Sequence, residues 1–120
     1  MYKEQRSLFM HRANLPYTMA VWTVKPGNEQ QFILEWQSFA DWTAANQPGA
    51  LKGYLLQDPQ IPYQFVSFGP WESVHALRSW RESPQYAEFL ARVMKLCSDF
   101  LPQLLTQVAA TARPPSKKIA

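Results

Sequence analysis

A chain of 120 residues that is 47% hydrophobic and 14% aromatic, with five tryptophans, suits one compact domain burying its own core; it excludes a disordered or low-complexity protein. The single cysteine, Cys97, excludes an internal disulfide and any CxxC metal or redox site, so a reducing compartment is expected. The formal net charge of +3 is carried by the two ends, while the body between them holds six basic and eight acidic residues, which argues against a basic nucleic-acid face.

Residues 1–16 mix Lys3, Glu4, Arg6 and Arg12 with Leu8, Phe9 and Met10, and read as an N-terminal extension ending at Pro16. They lack the apolar core of a signal peptide, and no apolar run approaches membrane-spanning length, so a soluble cytoplasmic protein without membrane contact is expected. Tyr17 to Lys25 predicts a strand with Tyr17, Met19, Val21 and Thr23 on one face and Thr18, Ala20, Trp22 and Val24 on the other. Both faces are mainly apolar, which implies cover on both sides. Pro26-Gly27 ends the strand, and Asn28 with Gln31 predicts a capping box opening a helix. Along it Phe32, Trp36, Phe39, Ala40 and Thr43 share one face, with Ile33 at its edge, until Asn46, Pro48 and Gly49 close it.

Leu51 to Gln57 predicts a second strand, Asp58 to Pro62 a hairpin loop, and Tyr63 to Phe68 a third strand ending at Gly69-Pro70. A short helix from Ser73 to Arg81 carries the row Val74, Leu77, Trp80. Ser83-Pro84 offers a capping hydroxyl and a proline suited to a first helical position. The helix it opens is predicted to run to Leu101, with Tyr86, Leu90, Val93, Cys97 and Phe100 on one stripe, and Pro102 stopping it. Leu104 to Ala110 predicts a fourth strand, and residues 113–120 a basic flexible tail. The order β, α, β, β, α in two pieces, β predicts an α+β domain over residues 17–112. It is the ferredoxin-like split βαβ arrangement, a four-stranded antiparallel sheet with helices on one face. The other face, apolar and without helices to cover it, predicts a homodimer in which a second copy of the sheet provides the cover.

Several fragments in order carry a family resemblance: Val24-Lys25-Pro26-Gly27 followed by Phe32, then Pro48-Gly49, then Phe65-Val66 leading to Trp71-Glu72-Ser73, then Trp80, Ser83 and Tyr86. Together they resemble the antibiotic biosynthesis monooxygenase family of small dimeric α+β barrel proteins. The resemblance covers about residues 18–110 and implies that fold. Activities in that family include cofactor-independent oxygenation of anthrone-like aromatics, quinol oxygenation and heme degradation. The heme-degrading members ligate iron through a histidine on the long helix and use an asparagine in the first strand. Those places here hold Leu90 and Ala20, neither of which offers a lone pair, so heme degradation is disfavoured.

What the resemblance implies is therefore a monooxygenase without cofactor or metal, acting with dioxygen on a small aromatic, anthrone- or quinol-like substrate. Trp71 stands at the position of a functional tryptophan, and Tyr86 is the accompanying catalytic candidate. The expected pocket is formed by Trp22, Trp36, Tyr54, Tyr63, Trp80 and Phe89, with indole N–H groups as donors and a tyrosine to bind a phenolate or relay its proton. The alternative is a non-catalytic dimeric module that binds a small hydrophobic ligand, since aromatics at these spacings also serve as packing. His75 falls off the apolar row and is expected to be exposed, His11 lies in the extension, and Cys97 reads as a small buried hydrophobe. No Ser/His/Asp set, P-loop or GxGxxG is present.

Overall fold

A computed structural model describes residues 14–115. The elements are β1 (Pro16–Val24), α1 (Glu29–Asn46), β2 (Tyr54–Gln57), β3 (Gln64–Pro70), α2 (Val74–Arg81), α3 (Pro84–Val93) and β4 (Cys97–Thr106). The strands form one antiparallel sheet in the order β2-β3-β1-β4. Three helices lie on one face of it, so the architecture is the α+β ferredoxin-like fold.

The core forms between that face and the helices. Val24, Phe32 and Val93 are fully buried, and Phe65 nearly so. The Trp22 ring meets Phe32 at 5.1 Å and stacks on Phe100 at 4.3 Å, while Phe32 meets Phe65 at 5.0 Å, which links β1, α1, β3 and β4 through ring contacts. On α1 the buried residues Phe32, Phe39 and Thr43 come from the face the spacing indicates. The other face of the sheet carries Met19, Val21, Val66 and Phe68 at its centre. Leu56 and Leu101 at its sides are each 53% exposed in the single chain.

Helix starts follow local chemistry with one exception. Ser73 caps α2 by accepting from Ala76 N–H at 3.0 Å, and Ser83 caps α3 by accepting from Tyr86 N–H at 3.2 Å, with Pro84 in the first turn. The capping box expected at Asn28 is not made. Glu29 Oε1 takes the Gly27 N–H at 2.7 Å instead, with Gly27 in the left-handed region at φ +98°, and the Gln31 side chain turns to Glu35.

The main correction is at the C-terminal end. The helix expected to reach Leu101 stops at Val93, and β4 begins at Cys97 rather than Leu104. Its partner β1 explains the misleading spacing. Thr23 pairs with Asp99 and Val24 with Cys97, so Ser98 is an extra residue in β4. Such a bulge puts Cys97 and Phe100 on the same face three residues apart, which imitates a helical stripe. Pro102 does not end an element but pairs opposite Ala20 inside β4, an edge strand where a missing N–H is tolerated.

Gly69-Pro70 likewise continues β3, opposite Thr18 and Tyr17, instead of ending it. Pro16, expected to close the extension, already opens β1. Residues 1–13 of the extension, with His11, and the last five residues of the tail lie outside the described residues, and Arg113 to Pro115 have no regular structure. No helix among the described residues is long and apolar enough to cross a membrane.

Candidate active site

A cavity of about 120 Å³ lies between the helices and the sheet. Thr18, Ala20 and Trp22 of β1 and Ser67 and Gly69 of β3 form its floor, with alternate residues pointing up from paired strands. Trp36, Phe39 and Thr43 of α1 form one side. Trp71, Trp80, Tyr86 and Phe89 form the other, so the sequence-predicted residues Trp22, Trp36, Trp71, Trp80, Tyr86 and Phe89 meet around one space.

Trp71 directly follows β3 and is held by backbone. Its N–H donates to the Pro16 carbonyl at 2.8 Å, and it bridges to Ala50. The ring lies 5.0 Å from that of Trp80, which in turn meets Tyr86 edge-on at 4.7 Å. The Ser83 hydroxyl fixes that last pair from below: it donates to the Trp80 carbonyl at 2.7 Å while accepting from Tyr86 N–H.

The polar groups of the walls divide into two sets. The Trp22 indole N–H donates to Ser67 Oγ at 2.9 Å, and the Trp80 indole N–H donates to Thr43 Oγ1 at 3.0 Å, so both donors are already used. Among the described residues the indole N–H groups of Trp71 and Trp36 make no hydrogen bond. These are the donors left to meet a ligand. Burial pushes the Tyr86 phenol above its ordinary pKa, and the neighbouring Arg81 guanidinium, by charge and by hydrogen bonding, draws it part of the way back. The phenol is therefore protonated at neutral pH, a hydrogen-bond donor rather than a base.

Tyr54 and Tyr63, expected in the pocket, are not on the wall of this cavity. Tyr54 pairs opposite Phe68 and stacks on it at 5.2 Å on the helix-free face, with Lys52 Nζ 5.5 Å from its ring. It borders an adjoining groove at the edge of the sheet, whose lining includes Asp41 and shares Trp36, Leu51 and Lys52 with the cavity. Tyr63 is 39% exposed at the end of the hairpin loop, outside both spaces. His75 is exposed on α2, and Cys97 is buried at the start of β4, away from the cavity wall. Sequence reasoning missed Thr18, Thr43, Ser67 and Arg81. For Arg81 a signal was available: it stands four residues after Leu77, on the apolar side of α2.

The sequence model of the family described as antibiotic biosynthesis monooxygenase matches residues 17–92, which spans β1 to nearly the end of α3. The chain belongs to the antibiotic biosynthesis monooxygenase family. Among solved structures this family member is similar to SnoaB of Streptomyces nogalater, described as a cofactor-independent oxygenase and solved as a mutant. The TM-score is 0.70 at 21% identity, over 86% of this chain and 97% of that one. It is also similar to a conserved protein of Methanosarcina mazei Go1, with a TM-score of 0.73 at 15% identity over 81% and 96% of the two chains. A third similar structure, described as an antibiotic biosynthesis monooxygenase, gives 0.67 at 18% identity over 83% and 100%. At such identities the likeness is one of fold. No curated protein sequence matches this family member. Within it, Ala20 lies on the cavity floor, and Leu90 packs half-buried against the core, so neither place can supply a lone pair to a metal or a polar ligand. Among the described residues no three His, Cys, Asp or Glu side chains converge.

Proposed function

We propose that the chain is a cofactor-independent monooxygenase that uses dioxygen to oxidise a small aromatic, anthrone- or quinol-like substrate. The observation that carries this reading is the aromatic cavity lined by Trp71, whose indole N–H has no partner, with the Trp80 ring between it and Tyr86. Family membership and the likeness to a cofactor-independent oxygenase support it.

In such a reaction the substrate supplies the electrons. Loss of a phenolic or enolic proton gives an anion that passes one electron to dioxygen, and the radical pair combines to a peroxide. Elimination of water from a peroxide at a former CH₂ leaves a carbonyl, so one oxygen atom enters product and the other leaves as water. The protein's part is to exclude water, orient the ring and stabilise negative charge on oxygen. The substrate's proton leaves to water before the site closes around the anion; the indole N–H of Trp71 then donates to the charged oxygen, and the protonated Tyr86 is a second hydrogen-bond donor on the wall. The residues do not fit heme, because the places for an iron ligand and its polar partner are leucine and alanine.

The reading includes a homodimer. The helix-free face of the sheet presents Leu56, Leu101 and Leu105, exposed by 53%, 53% and 44%, around the Val21, Val66 and Phe68 centre. A second copy of the same face is the occupant that matches it.

Oxygen uptake with a panel of anthrones and quinols tests the catalytic claim. Uptake that falls strongly when Trp71 is replaced by Phe supports it; no uptake above buffer with any substrate removes it. The wall also favours a second reading, a binding module for a small hydrophobic molecule, because it carries no carboxylate or histidine to act as a base. Native mass spectrometry of freshly purified protein, showing a retained ligand in a protein that consumes no oxygen, selects that reading.

A further inference from the structure

Arg81 is the residue of the cavity that the oxygenase reading leaves without a task. It closes α2, lies on the cavity wall, and is fastened by neutral groups. Its Nη2 donates to Thr18 Oγ1 at 3.1 Å and to the Gln103 carbonyl at 2.6 Å, tying the guanidinium to β1 and β4. Its Nε is buried with no partner. The ion pair among the described residues lies elsewhere, between Arg92 and Glu35 on the surface. Of the residues lining the cavity, Arg81 and Lys52 are cationic, and none is Asp or Glu.

An arginine is always charged, and a charge beside apolar rings without a carboxylate is costly unless the space is meant for an anion. A buried donor left without a partner is unfavourable, more so when charged, and an anionic oxygen against the guanidinium offsets that cost. Size narrows the ligand further. The cavity of about 120 Å³ is close to one of about 150 Å³ that holds a single benzene ring, and it shares Trp36, Leu51 and Lys52 with the groove beside it.

We propose that Arg81 is the anion receptor of this cavity and that the ligand is a single-ring aromatic bearing an anionic oxygen, a phenolate or a carboxylate. The ring occupies the space between Trp71, Trp80 and Phe89, and the anionic oxygen meets the guanidinium that Thr18 and Gln103 hold in place. Tyr86, beside the same guanidinium, adds a phenolic donor. The inference rests on reading this cavity as the substrate site, and it selects the quinol-sized, ionised end of the aromatic range over neutral fused-ring substrates.

The test is binding without turnover, under nitrogen, at one pH where the acids are ionised. Tryptophan quenching and calorimetry are recorded with 4-nitrophenolate, 4-nitrobenzoate and the neutral 4-nitroanisole. The expected result is that at least one anion binds roughly tenfold or more tightly than the neutral ether, as a charge-assisted hydrogen bond requires; which anion does so names the group. Arg81→Met removes the preference while leaving the ether's affinity in place, Arg81→Lys keeps part of it, and Lys52→Met keeps it. Equal affinity for all three probes in the unaltered protein overturns the proposal, as does absence of binding. So does a preference that survives Arg81→Met or disappears in Lys52→Met. The comparison of probes in the unaltered protein decides the matter even where Arg81→Met does not fold. Anion preference without oxygen uptake sinks the oxygenase reading alone, and uptake with neutral anthrones but no anion preference sinks this inference alone.

Discussion

The Trp80 indole N–H donates to the Thr43 hydroxyl at 3.0 Å, a bond between residues 37 apart in sequence that ties the end of α2 to the last turns of α1. Thr43 is the one buried polar residue of the described core, 8% exposed, and its hydroxyl has this partner to satisfy. The same contact fixes the ring that separates Trp71 from Tyr86.

Replacing Thr43 by Val keeps the shape of the side chain and removes the acceptor. The indole N–H is then buried unpaired, at a cost of about 1–3 kcal/mol. Urea denaturation should show a lower midpoint with an unchanged slope, and the near-ultraviolet circular dichroism of the tryptophans should weaken. A midpoint equal to that of the unaltered protein contradicts the assignment of this bond.

Gly69 and Gly27 separate two reasons for glycine. A Cβ on Gly69 would fall onto the Lys52 backbone carbonyl and lie 3.0 Å from Gly53 Cα, so Gly69→Ala forces β3 away from the segment before β2. Overpacking against backbone costs roughly 1–3 kcal/mol and here also distorts the cavity floor, so ligand binding should suffer with stability. Gly27, at φ +98°, has open space around it, and Gly27→Ala should cost about 1–2 kcal/mol through backbone conformation while leaving binding intact. Paired measurements of unfolding and binding on both variants check this contrast.

Cys97 is a buried thiol whose pKa burial pushes up to about 11, with Lys25 drawing it slightly down. A folded pKa above the ordinary value means that the unfolded chain loses its proton first as pH rises. The associated stability is complete below the unfolded value, near 9, and is lost as pH rises from there through about 11. Native protein at pH 8 should react with a disulfide reagent far more slowly than protein in denaturant, and Cys97→Ala should flatten the stability decline above pH 9. Rapid labelling of the folded protein would show the thiol to be accessible.

Leu101 lies opposite Val21 on the helix-free face of the sheet, half exposed in the single chain. If that face meets a second copy, Leu101→Glu places two charges in an apolar contact, and sedimentation velocity should show a dimer turned into monomer with secondary structure retained. A monomer in the unaltered protein at micromolar concentration rejects the dimer outright.

Much of this protein follows from local rules in its sequence. Ser73 and Ser83-Pro84 start helices because each serine hydroxyl accepts from a free N–H of the first turn, and Pro84 has no N–H to leave unpaired there. The aromatic row of α1 faces the core because its spacing allows one buried face. Trp71, Trp80 and Tyr86 could be named only through the family resemblance, since aromatics at such spacings also serve as packing. What depends on partners far along the chain was settled by tertiary structure alone. The bulge opposite Thr23 and Val24 gives Cys97 and Phe100 a helix-like spacing in a strand, and Pro102 is tolerated there because β4 is an edge. Tyr54 leaves the cavity because its register against Phe68 turns it to the other face of the sheet. For Arg81 the place four residues after Leu77 marks only a face of α2; its seat on the cavity wall depends on Thr18 and Gln103, 63 and 22 residues away, coming together to hold it.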